Sequence, residues 1–353
     1  MWSRFPQADR GIVTTPEPGY AVPPPDPADL IAWPEDFGTR FTVFVDTEEE
    51  FDWHAPLTRD AHGVSAIAAM PETHRRFADR GVPLTFMVDY PIATDAQAID
   101  VLRGALADGR SAVGTQLHAW VNPPFDEPLT PTNSYAGNLA PALEAAKLDA
   151  LTAAITTAFD AAPRAYRAGR YGIGSATAAL LAARGYRLDS SMRARYSYVA
   201  DGGPDFRAIG NHAFRLGDLV ELPLTTVFTG RAARGGSRLY ERLASIPKGR
   251  GLFARAGLLS RVALTPEDMP LDDALEAVAV ALDEGVRVLN FSFHSPSLVP
   301  GHTPYVRDAA DLAAFHHWWD RMIDDLTRRG VRAASLDQLI VASRALPPAP
   351  GIR

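Results

Sequence analysis

The chain has 353 residues, enough for one large domain or two ordinary ones, and 46% of them are hydrophobic against 22% charged, the balance of a soluble globular protein. It contains no cysteine, which excludes disulfides, thiolate metal sites and a cysteine nucleophile, so any metal must be held by His, Asp, Glu or neutral oxygens. No apolar run reaches the roughly 18 residues that cross a bilayer, the first residues lack a basic-then-apolar leader, and a net charge of −7 argues against nucleic-acid binding; a cytoplasmic location is the expectation.

Residues 1–40 are proline-rich, with Pro23, Pro24, Pro25 and Pro27 close together, and read as an extended arm lying on the domain or a partly ordered tail. Residues 41–45 form an apolar, β-branched and aromatic run that reads as a buried strand stopping at Asp46. Side chains two apart on an extended chain share a face, so Asp46 and Glu48 converge, and two acids at one strand mouth ask for a cation. A helix over 64–80 and a strand over 83–88 ending at Asp89 follow. Next come a helix over 95–108, a strand over 111–117 ending at His118, and a long helix over 139–159.

The short strand 164–168 carries Arg167 and runs into Gly169-Arg170-Tyr171-Gly172. A helix over 175–184 leads to 186–188 and Asp189, and the run 219–222 contains Glu221. Between Gly230 and Arg261 eight basic residues face one acid, Glu241, so the segment carries +7 and the rest of the chain, by difference, −14. This basic insertion (230–262) reads as a solvated loop or as a landing patch for an anionic substrate or a membrane surface. A helix over 271–284, a strand over 286–293 ending at His294, and helices over 308–329 and 336–345 complete a domain of 41–345, with a tail at 346–353.

Alternating five-residue strands and longer helices predict parallel βαβ units with right-handed crossovers. A barrel is preferred to an open sheet because Asp46, Asp89, His118, Arg167, Asp189, Glu221 and His294 cap strand after strand, and only a barrel brings all those ends to one rim. The chain has no P-loop, no dinucleotide fingerprint and no G-x-S-x-G elbow.

Asp46-x-Glu48, His118-x-x-x-Asn122, Arg167-Ala-Gly-Arg-Tyr171, Asp189-Ser-Ser191 and Phe291-Ser-Phe-His294 fall in the order of the five motifs of the NodB-type polysaccharide deacetylases. The chain resembles that family (carbohydrate esterase family 4-like) from about residue 41 to 345, and is most similar to its WalW-like branch. The resemblance implies an irregular (β/α)7-type barrel and a divalent metal, zinc first, that activates water to remove an N-acetyl group from a sugar of a surface polysaccharide or its precursor. It implies Asp46 as base, Glu48 and His118 as metal ligands, and Arg167 as the guanidinium that aims Asp46. His294 would be the acid that protonates the departing amine, with Asp189 polarising it.

Asn122 stands where the family has a second histidine ligand, and with Gln116 as a further neutral oxygen this shifts preference toward harder cations such as manganese or magnesium. Trp120, Arg170, Tyr171 and Gly172 are the expected substrate contacts, an amide of the last two helping to hold the oxyanion. The basic insertion suggests an anionic or lipid-linked carbohydrate. Two alternatives stay open: hydrolysis of a cyclic amide or ureide on the same barrel, and a carbohydrate-binding relative without catalysis. The oligomeric state is not written in these residues.

Overall fold

The computed structural model describes residues 19–344, so the first 18 residues of the arm and the tail at 346–353 lie outside the described residues. The strands are β1 (Arg40–Thr47), β2 (Leu84–Val88), β3 (Ala112–Leu117), β4 (Ala165–Ala168), β5 (Leu188–Asp189), β6 (Phe214–Leu216), β7 (Leu219–Glu221), β8 (Thr226–Thr229), β9 (Ser260–Ala263), β10 (Val288–His294) and β11 (Arg332–Ala333). The helices are α1 (Met70–Ala78), α2 (Tyr90–Thr94), α3 (Ala96–Leu106), α4 (Pro141–Phe159), α5 (Thr177–Ala183), α6 (Gly236–Ala244), α7 (Gly249–Arg255), α8 (Leu271–Asp283), α9 (Ala309–Arg328) and α10 (Leu336–Ala342).

One sheet runs in the order β10-β1-β2-β3-β4-β5-β7-β6, with β11 pairing the start of β1. Its strands are parallel except β6, which forms an antiparallel hairpin with β7. The helices connect its parallel strands by crossovers, and the sheet curls into the incomplete barrel expected of an irregular (β/α)7 fold. The seam between the two ends of the ladder is stitched by single bonds. Thr225 N–H donates to the Asn290 carbonyl (3.3 Å), Asn290 N–H to Thr225 Oγ1 (2.9 Å), and Ser292 N–H to the Leu264 carbonyl (3.2 Å).

Strand parity sorts the side chains. Phe41, Val43, Val45, Leu84, Phe86 and Val88 join the large core beneath the helices. Phe44, Met87, Ala165, Leu188, Val220 and Val288, of the opposite parity, meet inside the curl with Trp33 and with Leu336, Leu339 and Ile340 of α10. The described part of the arm and the last helix thus close the floor, and the polar ends of the same inward rows, Asp46, Gln116, Arg167 and His294, are left at the rim.

The basic insertion is not a bare loop. β8 and β9 pair antiparallel, and α6 and α7 between them close a small core of Phe228, Leu243 and Leu259. Arg231, Arg234, Arg238, Arg242, Lys248 and Arg255 remain exposed on it.

Candidate active site

β1 and β10 lie side by side with Asp46 in register with His294, while β3 and β4 place Gln116 beside Arg167. The strand ends border a cleft of ≈ 440 Å³ lined by Asp46, Glu48, Gln116, His118, Arg167 and His294, with Phe51, Trp53, Leu57 and Trp120 as its apolar wall. Trp120, Arg170 and Tyr171 also line it, as the sequence suggested.

Asp46 is buried and accepts from Arg167 Nη1 at 2.7 Å. Arg167 is itself locked, its Nε on the Ser190 carbonyl and its Nη2 on Ser190 Oγ, both at 3.0 Å. Ser190 Oγ in turn accepts from Asn290 Nδ2 at 2.8 Å. Asp46 Oδ2 also lies 3.6 Å from His294 Nε2. The other imidazole nitrogen, Nδ1, meets Glu267 Oε2 at 2.6 Å, and Glu267 Oε1 accepts from His294 N–H (3.0 Å) and Ser297 Oγ (2.6 Å). Burial opposes a charge on His294, but Glu267, Glu48 and Asp46 outweigh it and raise its pKa to about 10.

The carboxylate behind His294 is therefore Glu267, and Asp189 does not have that role. Asp189 accepts from Ser191 N–H and Oγ beneath the cleft and is linked to Glu221, burial raising both pKa values, that of Asp189 to about 6. Glu267 was missed because it falls between the insertion, 230–262, and the helix over 271–284, in a stretch given no element of its own. The apolar run 262–264 followed by an acid is the same strand-end signal that singled out Asp46.

His118 is more deeply buried than His294, and its pKa falls to about 4, mainly through burial. Its Nδ1 meets Glu49 Oε2 at 2.7 Å, and Trp120, stacked on the imidazole, donates Nε1–H to Glu49 Oε1 at 2.7 Å. Gly169 packs so close that a Cβ there would lie 2.4 Å from His118 Cδ2. With Nδ1 committed, Nε2 is free to turn to Glu48 Oε2, 3.4 Å away, which also accepts from Gln116 Nε2 at 3.1 Å. Glu49 was not singled out in the sequence, yet in the run Glu48-Glu49-Glu50 it is the residue that orients His118.

Glu49, Asp89 and His118 each bring one ligand atom within 4.8 Å of the others, a set that could hold a metal. All four of their carboxylate oxygens already accept hydrogen bonds, Asp89 from Glu49 N–H (2.7 Å) and Ile92 N–H (2.9 Å). The opposite face of His118 is different. Glu48 Oε1 and Gln116 Oε1 are buried with no partner among the described residues, and Nε2 adds an unprotonated nitrogen. This donor set fits a divalent cation.

Asn122 does not join it. Lys147 Nζ is buried and donates to the carbonyls of Ala119 (3.0 Å), Asn122 (2.7 Å) and Pro124 (2.6 Å), wrapping the loop after β3 around α4. The Asn122 Nδ2 donates to the carbonyls of Pro123 and Lys147, its Oδ1 is buried with no partner among the described residues, and Asn122 is not among the residues that line the cleft. Gly172 is likewise unavailable as an oxyanion donor, its N–H being bonded to the Gly169 carbonyl at 3.0 Å. Arg170 and Tyr171 beside it adopt φ of 55° and 60°, a costly conformation for side-chain-bearing residues that clusters at functional loops. Arg170 Nη1 is tied to Ser134 Oγ (2.5 Å) and lies over the Tyr135 ring.

Among solved structures, the chain is similar to a candidate polysaccharide deacetylase from Mycobacterium smegmatis, at 19% identity and a TM-score of 0.54 over 93% of this chain and 98% of that one. PuuE allantoinase (14% identity, TM-score 0.49, 88% of this chain and 91% of that) is a more distant likeness. So is the chitin deacetylase of the fungal pathogen Colletotrichum lindemuthianum (13%, 0.39, 90% of each). No protein-family model and no curated protein matches the chain. The fold is that of the NodB-type polysaccharide deacetylases; the likeness does not single out the WalW-like branch.

Proposed function

We propose that this chain is a metal-dependent amide hydrolase that releases acetate from an N-acetylated sugar. The observation that carries the reading is the pairing of Asp46 and His294 at one cleft mouth, each backed by a group of opposite charge: Arg167 behind the acid, Glu267 behind the imidazole.

Asp46, aimed by the 2.7 Å bond from Arg167, takes the proton of the attacking water. His294, held charged by Glu267, donates to the amide nitrogen as the C–N bond breaks, so that an amine leaves instead of an amine anion. Glu48, the Nε2 of His118 and Gln116 would hold a divalent ion, with Glu49 and Asp89 orienting His118 from behind. When bound, that ion supplies Lewis-acid polarisation of the carbonyl and a lower pKa for water. Phe51 and Trp53, stacked at 4.8 Å on the cleft wall, offer apolar surface against which a sugar ring packs.

The test is metal content measured together with acetate release from a panel of N-acetylated sugars, using the protein as purified and after loading with zinc or manganese. Stoichiometric metal and acetate release that Asp46→Asn abolishes support the reading. Metal with ring opening of a cyclic ureide but no acetate would replace it with the second hydrolase, and neither metal nor turnover would leave a carbohydrate-binding barrel.

A further inference from the structure

Behind His294 lies a second cavity of ≈ 460 Å³ that shares Tyr171 and His294 with the cleft and is lined by Arg193, Tyr196, Glu267 and Tyr305. Arg193 is 5% exposed and sits in the stretch that follows β5, its backbone bridged to Leu224. Its guanidinium lies 3.8 Å from the centroid of the Tyr196 ring, whose other neighbour is the Arg261 guanidinium at 3.3 Å, and 6.0 Å from that of Tyr171.

The contrast with the other buried guanidinium is the point. Arg167 spends its donors on Asp46 and Ser190. Arg193 has no carboxylate oxygen within 4.0 Å among the described residues, and its Nε has no hydrogen-bond partner. The groups that act on it are the tyrosines Tyr196, Tyr198 and Tyr171. Of the carboxylates on the cavity wall, Glu267 is committed to His294 and Ser297, and Asp268 stands beyond ion-pair distance. A buried cation with no carboxylate in ion-pair reach among the described residues is a costly arrangement unless a ligand completes it. A guanidinium held flat against a ring presents its fork to a planar or tetrahedral oxyanion.

We propose that Arg193 is the anion-recognition residue of this active site: the substrate is an N-acetylated sugar bearing an oxyanion, whose charged group enters the second cavity while the amide lies in the cleft. This rests on the hydrolase reading above and specifies its substrate class. The shared chemistry is that of a carboxylate, a sulfate or a phosphate on the sugar.

The test titrates Asp46→Asn protein, which binds without turnover, with N-acetylglucosamine, its 6-phosphate, its 6-sulfate and N-acetylmuramic acid, in the Arg193, Arg193→Lys and Arg193→Met backgrounds. At least one charged sugar is expected to bind about 10-fold or more tighter than the neutral one, the size of a charge-assisted bond. The tightest arm identifies the anion. Arg193→Met should collapse the charged-to-neutral ratio to below about two-fold, and Arg193→Lys should retain part of it. Equal affinity for charged and neutral sugars in the Arg193 protein overturns the inference. So does a ratio unchanged by Arg193→Met, or a ratio that Arg193→Lys loses as fully as Arg193→Met does while both variants melt early, since those outcomes make Arg193 a packing residue. The two readings fail separately. Charge-dependent binding without acetate release by the Asp46 protein removes hydrolysis and keeps the anion subsite, whereas acetate released equally well from neutral and charged sugars removes only the subsite.

Discussion

His118 and His294 end two strands of one curled sheet, and each presents Nδ1 to a glutamate within 2.7 Å, yet one is driven down to about 4 and the other up to about 10. The difference lies in what surrounds the glutamate. Glu49 is buried beside Asp89, and burial raises its own pKa to about 7, so it is a poor counter-charge and the desolvation of His118 prevails. Glu267 has Ser297 and a backbone N–H to satisfy it, and His294 also feels Glu48 and Asp46. The same residue pair therefore yields a neutral ligand at one strand end and a charged proton donor at the other.

The largest expected effect tests that division of labour. His294→Gln should lower kcat by about 10²–10⁴-fold, the scale of a lost general acid, while leaving metal content intact. His118→Gln should remove bound metal, measured by elemental analysis, and Glu49→Gln should weaken it about 10–100-fold by freeing the imidazole. Asn122→Ala should leave metal content unchanged, because its amide faces α4.

Next in size is the pH profile. His294 must carry its proton to act, so activity is lost as pH rises through its raised pKa of about 10. Glu267→Gln removes the largest favourable charge, and the alkaline limb of kcat/KM should move down toward the ordinary histidine value of about 6.5. A limb that stays in place would break the assignment of Glu267.

The smallest effect concerns a carboxylate outside the cleft. Glu144 is buried against the Thr177 hydroxyl, and burial pushes its pKa up to about 7. A folded value above the unfolded one means its contribution is complete below about pH 4.5 and is lost as pH rises through 7. Glu144→Gln keeps the acceptor oxygen, so its melting temperature should exceed that of the parent by about 2 °C at pH 8 and match it near pH 4.

Much of the fold was legible because apolar runs of alternating parity stop at polar residues, and β1, β2, β3 and β10 are the longest of these. Asp46, Arg167 and His294, each the polar end of an inward row, meet as the motif order implied. What the sequence concealed was set by tertiary packing. Asn122 has the spacing of a ligand, but a lysine 25 residues away takes the loop's carbonyls and turns it aside. Asp189 and Glu267 are both acids at strand ends, and only the closure of the seam through Thr225 and Leu264 decides which one reaches His294. In the insertion, the first helix carries Leu239 and Leu243 one turn apart, a period obscured by the density of arginines around it.

The seam has one more bearing. Asn290 bridges it to Thr225 and also bonds the Ser190 hydroxyl on which Arg167, and through it Asp46, is braced. The alignment of the proposed base is thus registered to the seam of the sheet, where a few solitary contacts replace a ladder. Gentle warming or dilute denaturant would slacken that line first and silence turnover while circular dichroism still reports a folded protein.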